Sequence, residues 1–205
     1  MPKKCEFLKQ EVKFVGLTIS QKGIRIHEDR VQAVKDLPPP RSMKEAQQVM
    51  GFLSYNRKFV SNFAELAKPI YNLIDKQKKF SWTPRCQEGF NEIKRRIAEG
   101  ITLTIPQVDD PHQSYVVTMD ASVDGYGAEL SQLRDSERKV IAYFSKRVPP
   151  HKREWSQSKL EFEAIVEAIE HWAIYLKGTE FLVKTDCLSL IALERLFEKS
   201  NATLT

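Results

Sequence analysis

The sequence predicts a mixed fold, α+β and α/β: a β-hairpin, then a helical region, then a β-β-β-α-β unit. Three observations lead there. Residues 6–26 place apolar residues around the turn Gln21-Lys22-Gly23 and end on the alternating Ile24-Arg25-Ile26, as a half-buried hairpin does. Residues 27–100 carry apolar positions at helical spacing, punctuated by Pro38-Pro39-Pro40 and Gly100. From Tyr115 onward, apolar strand-like runs surround a single long helical stretch.

The hairpin is too small for its own core and must pack on something. His27-Glu28-Asp29 can open a helix that runs to about Leu37 and stops at the three prolines. Ser42-Met43-Lys44-Glu45 has capping-box spacing; the helix it opens carries Ala46, Val49, Met50 and Leu53 and extends toward Phe59-Val60. Another helix includes Leu66, Ile70, Leu73 and Ile74. Thr83 is placed to N-cap a helix with Pro84 in its first position. Phe90, Ile93 and Ile97 share one face of that helix, and Gly100 ends it. Residues 101–111 read as a connection, and Asp109-Asp110 as loop acids.

In the back half, strands are expected at Tyr115–Met119, about Tyr126–Gln132, about Val140–Ser145 and Phe181–Thr185. The helix spans about Trp155 or Ser158 to Leu176, with Lys177-Gly178 ending it.

Composition bounds the functional classes. With 41% hydrophobic residues, the 205-residue chain can fill one large or two small cores. No apolar run approaches the roughly 20 residues of a membrane span, so no membrane partner is expected. The start lacks a signal-peptide apolar region, which predicts an intracellular protein, cytoplasmic or nuclear. Cys5, Cys86 and Cys187 fit no zinc spacing and read as free thiols. Residues 1–110 hold 20 Lys/Arg against 13 Asp/Glu; residues 111–205 hold 12 against 14. A basic front beside an acid-bearing back suits a polyanion-binding part next to a metal site. Lys44, Arg57 and Lys58 supply cations there, and Tyr55-Asn56-Arg57-Lys58-Phe59 interleaves them with aromatics; Tyr55 and Phe59 are expected in the core.

Three acids stand out. Val116, Thr118 and Asp120 share a strand face that Asp120 ends. Glu161, Ile165, Ala168 and Trp172 follow one helical stripe, whereas Glu163, Glu167 and Glu170 point elsewhere. A carboxylate in an apolar stripe needs a reason; Ser158-Lys159-Leu160-Glu161 offers capping as the alternative. Asp186 ends the last strand and could instead cap a helix over Cys187–Leu196. Acids delivered by three separate elements suit two Mg²⁺ ions acting on a phosphodiester.

With these residues the chain resembles the reverse transcriptase–ribonuclease H polyprotein region of Ty3/gypsy-type (Metaviridae) long-terminal-repeat retrotransposons. The matching stretches are Pro2–Phe7 with Val12–Ser20, Gly51–Val60, Phe80-Ser81-Trp82, Asp120-Ala121-Ser122 with Gly127–Gln132, and Ala142–Ser145. The resemblance implies a palm-end, primer-grip hairpin over 1–26, a helical thumb-like region over 27–80 and a connecting helix and linker over 81–110. An incomplete ribonuclease H-like fold then covers 111–205, truncated after strand four. It makes Asp120, Glu161 and Asp186 the first three carboxylates of a site holding two Mg²⁺, with Mn²⁺ able to substitute, against the RNA strand of an RNA–DNA hybrid. Phe14, Gly16 and Leu17 fall in the implied primer contact. No Tyr-x-Asp-Asp stretch occurs, so no polymerase site is expected in this chain. The family's fourth Asp has no counterpart here, so another protein chain is an expected partner that would complete the domain. Glu163 stands where the family has an apolar residue, and Asn56 where it has an aromatic. Hybrid cleavage is the enzymatic expectation; the alternative is a non-catalytic, domesticated or truncated module that binds nucleic acid or protein.

Overall fold

The computed structural model describes residues 8–75, 80–107, 114–134 and 137–186. Glu11–Phe14 (β1), Leu17–Ser20 (β2) and Gly23–Ile26 (β3) form an antiparallel sheet in that order. The single hairpin expected from sequence is therefore two successive hairpins. Val15 and Gly16 take φ 48° and 76°, so two left-handed residues close the first turn and leave room for a strand on either side. The stretch read as a mere connection also pairs. Ile24 and Leu103 exchange backbone hydrogen bonds of 2.7 and 2.8 Å. The Thr104 amide then donates to Val140 at 2.7 Å, tying this segment to the second sheet.

The helices start where local chemistry directs. In Glu28–Lys35 (α1), His27 Nδ1 accepts from the Asp29 amide at 3.2 Å. In Met43–Ser54 (α2), Ser42 Oγ accepts from the Glu45 amide at 3.2 Å, while Glu45 reaches the Arg41 amide rather than that of Ser42. Only one half of the capping box thus forms. Phe59 and Val60 do not extend α2; they follow a separate 3₁₀ turn, Arg57–Phe59, and are buried there. Phe63–Asp75 (α3) carries Pro69 in its interior. Pro84–Ala98 (α4) begins with Thr83 Oγ1 accepting from the Cys86 amide at 3.3 Å and ends before Gly100, at φ 70°. Val34, Leu53, Phe59, Ile70, Phe90, Ile93 and Ile97 form the shared core of this front part.

On α4, Glu92 accepts hydrogen bonds from Arg95 and Arg96, which pull its pKa from 4.5 down to about 2. A carboxyl held below its unfolded value stabilises the fold above that value, and the contribution fades as pH falls from 4.5 through about 2. Glu92→Gln is expected to lower the melting temperature slightly near neutral pH, because the pair is solvent-screened. The difference from wild type should shrink in melts taken across that acidic window.

The second sheet contains Tyr115–Ala121 (β4), Gly125–Arg134 (β5), Glu137–Arg147 (β6) and Phe181–Lys184 (β7), in the order β6-β5-β4-β7. The strands β5 and β6 run longer than their apolar runs suggested, because the hairpin ladder continues through Arg138, Lys139, Lys146 and Arg147. The last strand is parallel to β4, reached through Gln157–His171 (α5) and the short Ala173–Leu176 (α6). Trp172, at φ −103° and ψ 19°, divides what the sequence suggested was one helix. Val117, Met119, Ala128, Leu130 and Phe144 form a second core with Leu160, Ala164 and Ala168 of α5.

The opposite sheet face meets the front helices. There the buried Ala64 amide donates to Ser145 Oγ at 2.8 Å, and Lys68 pairs with Asp124. Ser145→Ala would leave a buried N–H without an acceptor, so a loss of about 1–3 kcal/mol is expected in urea unfolding. No helix among the described residues is long and apolar enough to cross a membrane. Asp109-Asp110, Cys5, Cys187 and the helix expected over Cys187–Leu196 lie outside the described residues.

Candidate active site

Asp120 occupies the sixth position of β4, exposed, on the face it shares with Val116 and Thr118. The parallel register sets its neighbour. Thr118 stands opposite Lys184. Asp120 lies two residues further on, within β4, whereas Asp186 lies two residues beyond Lys184, past the end of β7; the paired parts of the two strands run about 5 Å apart. Asp186 is also exposed. The parallel pairing of β4 with β7 was not legible beforehand, because register depends on the pairing of strands distant in sequence.

Glu161 arrives from α5. The buried stripe runs through Leu160, Ala164, Ala168 and Trp172; the last two were expected, whereas Leu160 and Ala164 take the places expected for Glu161 and Ile165. Glu161 sits half-buried at its margin. Gln157 fixes it there: its amide donates to Glu161 Oε1 at 2.9 Å and to the Ala121 carbonyl at 2.6 Å. Gln157 thus links the first turn of α5 to the end of β4. Its signal in the sequence was its place four residues before Glu161. The capping alternative for Glu161 does not hold, because the N-cap is Ser156 and Ser158 lies inside the helix. Glu163 and Glu167 do not simply point away. Both are half-buried, and they pair with Lys152 and, at 2.6 Å, with Lys146. The Lys152 pair explains how a charge is accommodated where the resemblance implied an apolar side chain.

Three hard oxygen donors of this kind suit Mg²⁺ or Mn²⁺ chemically. Their side chains do not converge: among the described residues no three His, Cys, Asp or Glu groups stand close enough to hold one ion. The reason is visible in the alternation of β4. Asp120 points to the α3 side of the sheet, whereas α5 packs on the other side. Asp120 borders a small hollow of about 100 Å³ together with Asn62, Glu65, Ser122, Gly127 and Ser145. Asn62 and Glu65 were missed, since only tertiary packing brings the start of α3 to this edge. Gly127 admits the approach; a Cβ there would lie 2.6 Å from Asn62 Oδ1.

The candidate nucleic-acid residues divide. Phe14 is 61% exposed, and Lys44 and Arg57 are exposed. Gly16 forms the left-handed turn beside the Arg30 guanidinium. Leu17 is corrected: at 8% exposure it belongs to the front core, because β2 turns that side chain inward. Lys58 is half-buried over the Phe59 ring, and burial pushes its pKa down. Phe59 is buried as expected, but Tyr55 is 46% exposed, not a core anchor. Its hydroxyl donates to the Val15 carbonyl at 3.0 Å, and the Arg30 guanidinium lies 4.2 Å from its ring centre. Asn56 is fully buried, its Oδ1 without a hydrogen-bond partner among the described residues.

Residues 82–183 match the family described as the RNase H-like domain found in reverse transcriptase, and this part of the chain belongs to that family. The chain as a whole is homologous to Ty3/gypsy-type transposon polyproteins. It is 32% identical over 185 residues to the retrovirus-related Pol polyprotein from transposon 412 of Drosophila melanogaster, a match covering 90% of the chain. It is 31% identical over 191 residues to the transposon Tf2-3 polyprotein of Schizosaccharomyces pombe, covering 92%. The chain spans only 15% and 14% of those two relatives. Among solved structures, the foamy viral protease-reverse transcriptase in complex with dsDNA aligns with a TM-score of 0.75 at 25% identity, covering 94% of this chain and 40% of that one. The same enzyme with an RNA/DNA hybrid aligns with a TM-score of 0.73 at 24% identity, covering 88% and 24%, which shows the shared fold.

Proposed function

We propose that this chain is a nucleic-acid-binding part of a retroelement polyprotein whose ribonuclease H-like domain hydrolyses the RNA strand of an RNA–DNA hybrid. The observation that carries this proposal is the parallel pairing of β4, which bears Asp120, with β7, just beyond which Asp186 lies, together with Glu161 tied by Gln157 to the end of β4. Asp120, Glu161 and Asp186 would hold two Mg²⁺ ions. The metal pair, when bound, would activate water and stabilise the departing oxygen. The chain's own contribution is position: β4 carries Asp120, β7 leads into Asp186, and Gln157 orients Glu161. Binding of hybrid by relatives' solved complexes and the basic front half support the same substrate class. The second possibility is a non-catalytic binding module, favoured by the opposite sheet faces from which Asp120 and Glu161 arrive.

Incubation of the purified chain with a labelled RNA–DNA hybrid and Mg²⁺ or Mn²⁺ separates the two. RNA-strand cleavage is expected. Hybrid binding with no cleavage under either metal would leave the binding module standing and remove the nuclease.

A further inference from the structure

A second hollow, of about 410 Å³, opens where the front helices meet the second sheet. Its rim carries Arg57 from the 3₁₀ turn, Lys146 and Arg147 from the end of β6, and Arg153 just beyond a second 3₁₀ turn, Pro150–Lys152. Among the described residues no acidic side chain lines it. Lys146 is already neutralised by Glu167, and Arg147 lies 4.8 Å from the Tyr71 ring centre. Arg57 and Arg153 differ: among the described residues neither has a carboxylate partner, although ion pairs are common elsewhere on this surface.

Two unneutralised guanidiniums around one concavity repel each other, so the arrangement costs energy unless an anion enters. The charge of Arg57 reaches the neighbouring helix: His171 of α5 is lowered in pKa first by burial and then by Arg57. The walls are rigid, built from Pro149, Pro150 and the Ser145–Ala64 hydrogen bond. A planar guanidinium fork on each side matches the oxygen geometry of a phosphate.

We infer that this hollow is a phosphate-binding clamp for the backbone of a nucleic-acid duplex, with Arg57 and Arg153 gripping it from the two halves of the chain. The inference rests on the proposed nucleic-acid function but assigns a site separate from the three carboxylates. A phosphate held here bridges the helical region and the ribonuclease H-like sheet, so both are oriented on the same strand.

The test is fluorescence anisotropy of a labelled RNA–DNA hybrid over a series of salt concentrations. The wild-type chain is compared with Arg57→Gln/Arg153→Gln. Each lost phosphate contact should flatten the dependence of log affinity on log salt by about one. The double variant, which loses the one phosphate that both arginines hold, is therefore expected to show a slope shallower by about one, with several-fold weaker binding at low salt. Lys35→Gln/Arg85→Gln removes the same charge at exposed positions elsewhere and should leave the slope near that of wild type. Arg57→Lys/Arg153→Lys, which keeps the charge, should restore most of it. If the Gln pair unfolds, Arg153→Gln alone, at an exposed position, should flatten the slope in the same direction by a smaller amount. An unchanged slope, or an equal loss in the Lys35/Arg85 control, overturns the clamp while leaving nucleic-acid binding intact. Failure of the wild type to bind hybrid overturns the proposed function and the clamp with it.

Discussion

Asp120→Asn is expected to lower hybrid cleavage by roughly a hundredfold or more, the scale of losing one group that stabilises charge in a transition state. The melting temperature should stay close to that of wild type. Both halves of the expectation come from where the residue sits. Asp120 is exposed at the end of β4, and among the described residues no cation pairs with it. Removing its charge therefore breaks no internal contact. Asn keeps the side-chain shape and the strand backbone while weakening the affinity for a divalent cation. The measurement is single-turnover cleavage with Mg²⁺ and with Mn²⁺, alongside a thermal melt. Cleavage at the wild-type rate in the variant would remove Asp120 from the chemistry. Glu161→Gln tests the second arm of the site: Gln can still accept the bond from Gln157, so a lost rate would report the missing charge rather than a displaced helix.

Gly89→Ala should destabilise the fold by about 1–3 kcal/mol. Helix propensity alone predicts the opposite sign, a gain of about 1 kcal/mol for Ala over Gly in a helix interior. The packing of α3 against α4 decides between them. A Cβ built on Gly89 would lie 2.2 Å from the Leu66 carbonyl oxygen. That atom belongs to the helix backbone and cannot rotate away as a side chain could. The two helices must separate, loosening Ile70, Phe90 and Ile93, which are all nearly fully buried between them. Urea unfolding gives the sign directly, and a stabilised variant would mean that α3 and α4 re-seat without cost.

Much of the layout was legible because its signals are local. In α4, Thr83 accepts from an amide three residues on, Pro84 needs no hydrogen bond at the first position, and Gly100 adopts φ 70°. Each device acts within one helical turn, so sequence spacing suffices to find it. The strand carrying Asp120 was equally readable from its alternation, which put Asp120 on the face of Thr118. The reading of α5 was right for Ala168 and Trp172 and one position off for its first two turns. Glu161 sits at the stripe's edge, where its carboxylate can be reached by Gln157, and the stripe itself runs through two alanines that a search for large apolar residues undervalues.

By itself, then, the sequence determined the order of elements, their caps and turns, the three acids on three elements and the uneven charge. All of these depend on residues a few positions apart. Tertiary structure alone decided that Leu17 is core, that Leu103 pairs with Ile24, and that the strand bearing Asp120 pairs in parallel with the strand leading into Asp186. It also brought Arg57 and Arg153, from opposite halves of the chain, to one hollow. Such contacts are set by strand register and by which face of a sheet a helix covers. Those choices minimise the energy of the whole packed molecule rather than of any short stretch, and so leave no mark in local spacing.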